Sequence, residues 1–393
     1  MNQNNELQLK KMKPLFEAIK YAIWHEGSFV PNQFVLEEMK KHAIVSLMAS
    51  SLSHFPKELR NEWQMVIYQQ LSFNVNCRYF QASLPVSVPY AILKGTSAAQ
   101  YYPQPKFRAL GDIDIITKRE DFDIACEMLL HGGFVEIAGE IEFRHRQFQR
   151  DGFDVEVHKS FAYKNDPDTA KVFDDLILDN INTSHILPDY INGLTILEHI
   201  NFHMQGGVGL RQIIDWMMFV DKCVSDDEWE TFCQLARKTE LDKLAKVITR
   251  MCVQYLGLPL RKWCMDIDPL LCEKLMVYIL DNGNFGQKKV DYDLVSARFF
   301  SNAKTVRGTL QFLQGRGLIN WKATQKYPIL RPFAWIYQIG RYLKLGLKRE
   351  GALKKLKQEY RDGKQRQDWF EELGATLEEK GLVYYKDGKY MKE

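Results

Sequence analysis

The chain has 393 residues, 46% of them hydrophobic and 26% charged, with a formal net charge of +3. This length leaves room for two or three domains and a sizeable buried core. The charge balance is too small to indicate nucleic-acid binding by itself, and the composition is that of an ordinary soluble globular protein.

The start of the chain gives no targeting signal. Residues Met1 to Glu6 are polar and lack the apolar region of a signal peptide. We find no apolar run of about 18 residues, so the sequence predicts no transmembrane segment. The seven cysteines form no Cys-x-x-Cys pair, and their odd number favours reduced core thiols over a disulfide framework. We therefore expect a cytoplasmic protein.

Residues 1–84 are predicted to form an N-terminal helical region without chemistry of its own. Apolar residues recur at helical spacing around Leu15, Ile44 and Trp63. His42 has no motif around it, so we expect it at the surface.

A short apolar strand is predicted over 88–93, followed by a glycine turn at Gly95 and a small-residue helix near 97–102. Glycine lets the backbone approach a ligand closely, and free N–H groups at a helix start suit a phosphate. Gly95 and Thr96 are therefore candidates for holding phosphate groups.

An acidic strand is predicted over 112–117. Alternation along a strand puts Asp112 and Asp114 on one face, and Ile113 and Ile115 on the other. Two neighbouring carboxylates repel each other, so a divalent metal or a paired base is expected beside them. For an isolated Asp-x-Asp, a solvated edge strand is the alternative.

A second acidic strand is predicted over 153–158, after a helix over 121–131 and a strand near 134–137. The turn dipeptide Asp151-Gly152 is expected to pair it with a strand over 142–148. Alternation places Asp154, Glu156 and His158 on one face. We interpret the neighbouring cluster Arg144-His145-Arg146 as a solvated strand face rather than a nucleotide contact.

Several motifs together resemble the polymerase-β-like nucleotidyltransferase superfamily, and more narrowly a largely uncharacterised bacterial nucleotidyltransferase family. They are Leu93-Lys94-Gly95-Thr96, Arg108-x-x-Gly111-Asp112-Ile113-Asp114-Ile115, Val155-Glu156-Val157-His158, His199-x-x-x-His203 and Gly209-Leu210-Arg211-x-x-x-Asp215. Thr96 stands where Ser or a second Gly is usual, and Glu156 stands in place of an Asp. The resemblance implies an α+β fold, with a small mixed-sheet core of the polymerase-β type flanked by N-terminal and C-terminal helical regions.

The resemblance also implies an activity: transfer of an NMP from a nucleoside triphosphate such as ATP to a hydroxyl acceptor, with release of pyrophosphate. Asp112, Asp114 and Glu156 are then the catalytic residues and the ligands of Mg²⁺ or Mn²⁺. The residues expected to bind the nucleotide are Lys94, Gly95, Thr96, Arg108, Gly111, His203 and Arg211. The alternative is a catalytically inactive nucleotide-binding or scaffold protein on the same fold, with a link to cell-surface glycan assembly.

Arg108 has two interpretations at this point. Its guanidinium suits phosphate, so it is a candidate for offsetting the charge of a triphosphate. It is equally a candidate for neutralising Asp112 and Asp114 directly.

The region after residue 190 is predicted to be helical, with Thr195 to Glu198 as a capping box that opens a helix. His199 and His203 lie one turn apart, a spacing that suits zinc, but no third ligand is in view. We therefore favour a hydrogen bond from His203 to the catalytic domain or to a nucleotide base. For Arg211 and Asp215, four residues apart, we favour a mutual ion pair over a contact with the nucleotide.

We expect four regions: the helices of 1–84, a nucleotidyltransferase core over 85–190, a helical domain over 191–340 that completes the cleft, and an appendage over 341–393. Basic residues between Lys348 and Arg366 predict a basic helix. Residues 341–366 are a candidate for weak contact with an anionic membrane surface or nucleic acid, although a solvated helix face is the simpler interpretation. A hairpin is expected around Asp387-Gly388.

Overall fold

The computed structural model describes residues 3–137, 144–283, 323–346, 367–377, 380–386 and 388–392, with a few single positions between 310 and 321. Within these ranges the α-helices are α1 (Gln3–Trp24), α2 (Gln33–Lys41), α3 (Lys57–Ala82), α4 (Gly95–Ala99), α5 (Phe122–His131), α6 (Pro167–Leu178), α7 (Asp189–Met204), α8 (Leu210–Cys223), α9 (Trp229–Lys238), α10 (Asp242–Tyr255), α11 (Pro269–Asn282), α12 (Ala323–Lys326) and α13 (Ala334–Gly346). The strands are β1 (Tyr90–Leu93), β2 (Ile113–Thr117), β3 (Val135–Ile137), β4 (His145–Arg150), β5 (Phe153–His158), β6 (Val383–Lys386) and β7 (Lys389–Lys392).

The first five strands form one mixed sheet in the order β1-β2-β5-β4-β3. β2 and β5 are parallel neighbours, and the other pairs are antiparallel. The hairpin between β4 and β5 turns at Asp151 and Gly152, which have φ angles of 53° and 81°. These positive φ values suit an Asp-Gly turn. The predicted α+β fold with a small mixed sheet and flanking helices is confirmed.

The register of β2 and β5 sets the chemistry of the sheet. Asp114 lies opposite Glu156. The opposite face of these strands is apolar, and Ile113, Ile115 and Val155 pack there with buried side chains of α5. Because side chains alternate along a strand, burying this face directs the carboxylates to the other one.

A second core lies on the helical side of the molecule. It joins residues of α1 and α2, from the predicted N-terminal region, to residues of α7, α8, α10 and α11. α4 packs against both α7 and α8. The start of β2, the end of β1 and helices α7 and α8 therefore lie close together.

Two local predictions were wrong. α7 begins at Asp189, so Thr195 lies inside the helix, where its hydroxyl donates to the carbonyl of Asn192 over 2.8 Å. A Thr-x-x-Glu pattern occurs in helix interiors as well as at helix starts, and the backbone after Pro188 provides the earlier start. His42 is fully buried, and its Nδ1 accepts a hydrogen bond from the backbone N–H of Leu210.

The C-terminal residues return to the core. β6 and β7 form an antiparallel hairpin, as predicted around Gly388. The backbone N–H of Val383 donates to the carbonyl of Lys164, and the Tyr390 hydroxyl donates to Asp174. The predicted basic helix between Lys348 and Arg366 lies outside the described residues. In the part of the chain that is described, no helix is both long enough and apolar enough to cross a membrane.

The seven cysteines all lie within the described ranges, and all are free thiols. Six are buried, and Cys223 is partly exposed. This agrees with the reduced core thiols expected from the sequence.

Candidate active site

Three carboxylates meet at one edge of the sheet. Asp112 comes immediately before β2, Asp114 lies within it, and Glu156 lies on the neighbouring β5. Each offers a carboxylate oxygen, and these oxygens lie within 4.8 Å of one another, close enough to hold a metal ion. Asp112 is exposed, Glu156 is partly buried and Asp114 is buried. The structure thus brings together the three acids that the sequence selected, with one of them open to solvent.

Lys94 supplies a positive charge to this group of acids. It directly follows β1 and has a positive φ of 50°, and its Nζ lies 2.6 Å from Oδ1 of Asp114. Burial alone lowers the pKa of Lys94, but the negative charges of Asp114, Asp112 and Glu156 outweigh it, so the net pKa is raised. Lys94 therefore remains an ammonium ion that pairs with Asp114.

His158 is a partner of the acids that the sequence analysis placed on the correct face without giving it a role. Its Nε2 lies 3.0 Å from Oδ1 of Asp114 and 3.4 Å from Oε2 of Glu156. Burial lowers the pKa of His158, but the hydrogen bonds to both carboxylates raise it by a larger amount, so the net pKa is raised. The alternation of β5 was the signal that pointed to this side chain.

Glu156 remains ionised in this setting. Burial raises its pKa, but the hydrogen bond from His158 and the charge of Lys94 outweigh that effect and lower the pKa to about 2. Glu156 therefore offers a deprotonated carboxylate to a cation at any pH near neutrality.

Gly95 and Thr96 lie at the start of α4, next to the acids. Gly95 has a φ of +33°, and a Cβ built there would lie 4.0 Å from the backbone oxygen of Asp112. The Thr96 hydroxyl donates to Oε1 of Gln81 on α3 over 2.8 Å. The side chain of Thr96 is thus engaged by the protein, and a phosphate contact through Gly95 and Thr96 stays a prediction.

The main partner of Arg108 is Asp215, and neither a triphosphate nor the pair Asp112 and Asp114 takes that place. Its Nε and Nη2 donate to the two carboxylate oxygens of Asp215 on α8, over 3.0 and 2.6 Å. The Tyr102 hydroxyl donates to Oδ1 of Asp215 over 2.8 Å. All three side chains are buried. Burial lowers the pKa of Arg108, but the charge of Asp215 outweighs it and raises the pKa.

Asn74 on α3 holds the segment that leads into β2, a role for which the sequence carried no signal. Its Nδ2 donates to the carbonyl oxygens of Lys106 and Arg108, and its Oδ1 accepts from the N–H of Leu110, each over 2.9 Å. These bonds fix the backbone just before Gly111 and Asp112.

Arg211 reaches the same segment from α8. Its Nη1 donates to the carbonyl of Ala109 over 3.4 Å, and a Cβ built on Gly111 would lie 3.8 Å from that nitrogen. Burial and the positive charge of Arg108 lower the pKa of Arg211 to about 10. The expected Arg211–Asp215 ion pair stays a prediction: the charge of Asp215 acts to raise the pKa of Arg211, while both carboxylate oxygens of Asp215 accept hydrogen bonds from Arg108.

His199 and His203 lie on α7 with ring centroids 4.5 Å apart. Burial lowers the pKa of His199 well below its usual value, and the charges of Lys94, His203 and Arg211 lower it further. Among the described residues, neither group suited to a metal ion includes these histidines. The side chains of α7 and α8 therefore approach the acids, while a nucleotide contact for His203 or Arg211 stays a prediction.

Comparisons with known proteins give one match. Residues 33–257 match the sequence model of a family described as "Uncharacterised nucleotidyltransferase". This range is more than half of the chain, and it contains the three acids, Lys94 and both helices that approach them. No curated protein and no solved structure matches the chain significantly.

Proposed function

We propose that this chain, which belongs to the uncharacterised nucleotidyltransferase family, moves an NMP from a nucleoside triphosphate to a hydroxyl acceptor and releases pyrophosphate. Family membership supports nucleotidyl transfer in general. The proposal adds to this the dependence on Mg²⁺, the release of pyrophosphate and the hydroxyl acceptor. The observation that carries it is that carboxylate oxygens of Asp112, Asp114 and Glu156 lie within 4.8 Å of one another, at the start of β2 and on the parallel neighbour β5.

The donor set fits a hard divalent cation. Carboxylate oxygens are the ligands that Mg²⁺ and Mn²⁺ take, and Asp112, Asp114 and Glu156 would hold them. When bound, the cation offsets the charge of the triphosphate and of the leaving pyrophosphate. Asp112 is the exposed member, so it is the carboxylate that a cation arriving with a nucleotide meets first.

The protein's own part is to position groups and to balance charge. In this proposal Gly95 and Thr96 hold the β- and γ-phosphates through the backbone at the start of α4. Lys94 offsets charge from the end of β1, beside Asp114. Arg108 acts indirectly, because its guanidinium bonds to Asp215 and thereby fixes the backbone ahead of Asp112.

The opposite wall of the proposed cleft comes from the helical region. Gly111 leaves room for the Arg211 guanidinium, and His203 lies next to the buried His199. In this proposal the core over 85–190 supplies the acids, residues 191–340 complete the cleft, and the reaction takes place in the cytoplasm, where nucleoside triphosphates and Mg²⁺ are available.

The test compares the wild type with an Asp112→Ala/Asp114→Ala double variant. Each of four α-labelled nucleoside triphosphates is added with Mg²⁺ or Mn²⁺, and nucleotide binding, pyrophosphate release and labelling of added hydroxyl acceptors are measured. The matched control is Asp123→Ala, which removes an exposed carboxylate of α5. We expect loss in the double variant alone. Equal binding and equal labelling in the double variant and the wild type would contradict the proposal.

The same experiment separates the alternative, an inactive nucleotide-binding or scaffold protein linked to glycan assembly. That protein would bind the nucleotide in an acid-dependent way without releasing pyrophosphate.

The proposed membrane contact has its own test, which is sedimentation with anionic liposomes before and after deletion of residues 341–366. Unchanged sedimentation after the deletion would dispose of that contact.

A further inference from the structure

Glu156 belongs to two different groups of metal-ligating side chains. One is the all-carboxylate group with Asp112 and Asp114, and the other consists of His145, Glu156 and His158. In the second group, one ring nitrogen from each histidine and one carboxylate oxygen lie within 4.8 Å of one another. The two histidines of this second group play no part in the proposed binding of the triphosphate.

The sheet register brings the second group together. His145 on β4 lies directly opposite His158 on β5, and their ring centroids are 4.9 Å apart. Glu156 precedes His158 by two residues, so alternation puts it on the same face. His145, Glu156 and His158 are thus brought together by the pairing of β4 with β5.

The distances suit a small ion with nitrogen and oxygen ligands. Ligand bonds of about 2.0–2.1 Å in a tetrahedral arrangement separate the ligand atoms by roughly 3.4 Å. Nε2 of His158 lies 3.4 Å from Oε2 of Glu156, and Nε2 of His145 lies 3.9 Å from Oε1 of the same carboxylate. Both His–Glu distances lie close to that separation.

Shelter and charge favour a cation at this position. The side chains of His145, Glu156 and His158 are 20%, 18% and 6% exposed. The ammonium group of Lys94 pairs with Asp114 over 2.6 Å, at the aspartate end of the acid cluster. At the histidine end, the imidazoles of His145 and His158 adjoin the Glu156 carboxylate.

We propose that His145, Glu156 and His158 form a site for a divalent transition metal such as Zn²⁺ or Co²⁺, adjoining the carboxylate group and sharing Glu156 with it. Imidazole nitrogen suits Zn²⁺ and Co²⁺, whereas Mg²⁺ takes oxygen ligands. Two His and one Glu are a ligand set that zinc uses in proteins while keeping a fourth position open. The metal replaces the hydrogen bond between Nε2 of His158 and Oδ1 of Asp114. The proposal goes beyond nucleotidyl transfer and does not depend on it.

The test is a titration of the full-length protein with Co²⁺, followed by visible absorption, in the presence of excess Mg²⁺. We expect one equivalent of Co²⁺ to bind with the ligand-field bands of a nitrogen-ligated ion. His145→Ala should weaken this binding at least about 10-fold, because it removes a ligand. His131→Ala, at the exposed end of α5, should bind Co²⁺ as the wild type does.

His145→Gln is a second variant that retains a polar side chain on β4 and guards against a folding defect in His145→Ala. Thermal unfolding of each variant shows that its fold is intact. Wild-type Co²⁺ binding in either folded His145 variant, or complete displacement of Co²⁺ by Mg²⁺, would overturn the proposal. Binding of the triphosphate with Mg²⁺, measured in His145→Ala, tests the proposed function separately, since the three acids are unchanged in that variant.

Discussion

Two charged clusters lie near the start of β2, and they differ in how their charges are balanced. In the first, Arg108 meets Asp215 through two hydrogen bonds, and Tyr102 donates a third to the same carboxylate. In the second, Lys94 pairs with Asp114, His158 contacts Asp114 and Glu156, and Asp112 adds a third carboxylate next to them. The first cluster matches one positive charge with one negative charge. The second holds more carboxylates than it has full positive charges to offset.

The difference separates a structural pair from a binding site. A buried ion pair with complete hydrogen bonding leaves nothing for a ligand to satisfy, and its members cannot be removed singly without cost. Carboxylates in excess repel one another, and a cation relieves that repulsion. The exposure of Asp112 gives such a cation a route to the second cluster. The following predictions test this contrast.

The largest effect is expected for Asp215→Ala, which leaves the buried Arg108 guanidinium without its partner. Removing one member of a buried pair costs about 3–5 kcal/mol of the free energy of unfolding, which urea denaturation measures. The double variant Arg108→Met/Asp215→Leu should recover most of the loss, because an apolar pair of similar volume needs no counter-charge. If Asp215→Ala were as stable as the double variant, Arg108 would not depend on Asp215 as its counter-charge.

Asp114→Asn is expected to change the second cluster in its function rather than its fold. The variant removes the negative charge that contacts Lys94 and His158. The repulsion among the carboxylates falls, and so does the affinity of the cluster for a cation. Metal-dependent transfer should drop at least about 100-fold, equivalent to roughly 2.7 kcal/mol. Rates at saturating Mn²⁺ and urea denaturation of the same preparations measure the two effects. A stability loss as large as that of Asp215→Ala, with transfer unchanged, would reverse the two assignments.

Asn74→Ala should have an intermediate effect, because it removes three hydrogen bonds to the backbone ahead of β2. Leaving those backbone groups unpaired costs about 1–3 kcal/mol, measured by thermal unfolding, and should also weaken Mn²⁺ binding. Gln70→Ala is the matched control, since Gln70 bonds only to the Asn74 side chain among the hydrogen bonds described for it. Equal losses in the two variants would argue against a special role for Asn74.

The smallest effect is expected for Asp166→Ala, an exposed acid outside both clusters that caps α6 by accepting from the N–H of Thr169. Losing an N-cap costs about 1 kcal/mol. Hydrogen bonds from the Thr169 backbone and hydroxyl lower the pKa of Asp166 below 3.8. The stabilisation is therefore complete above pH 3.8 and is lost as the pH falls through the folded-state pKa.

Urea denaturation of Asp166→Ala and the wild type between neutral pH and about pH 3 follows this effect. The difference between the two proteins should shrink on acidification. Asp168→Ala, an exposed acid in the first turn of the same helix, is the control. A difference that grows as the pH falls would contradict the capping role.

Local pattern predicted much of this site. The alternation of Asp112 with Ile113, and of Glu156 with Val157, follows from strand geometry, and Asp151-Gly152 follows from turn geometry, so the convergence of the acids was predictable. The partner of Arg108 was not, because Asp215 lies 107 residues away and reaches it only through the packing of α8. The burial of His42 has the same origin, since its partner is the backbone at the start of α8. His145 was assigned to solvent because nothing local reveals which residue pairs opposite it.

The most direct test of the account is anomalous diffraction from crystals of the full-length protein grown with Mn²⁺ and a non-hydrolysable nucleoside triphosphate analogue. An anomalous peak within bonding distance of Asp112, Asp114 and Glu156, with the triphosphate next to Gly95, is the result that we predict. Ordered nucleotide bound elsewhere, or Mn²⁺ absent from these carboxylates while Lys94 still pairs with Asp114, would contradict it.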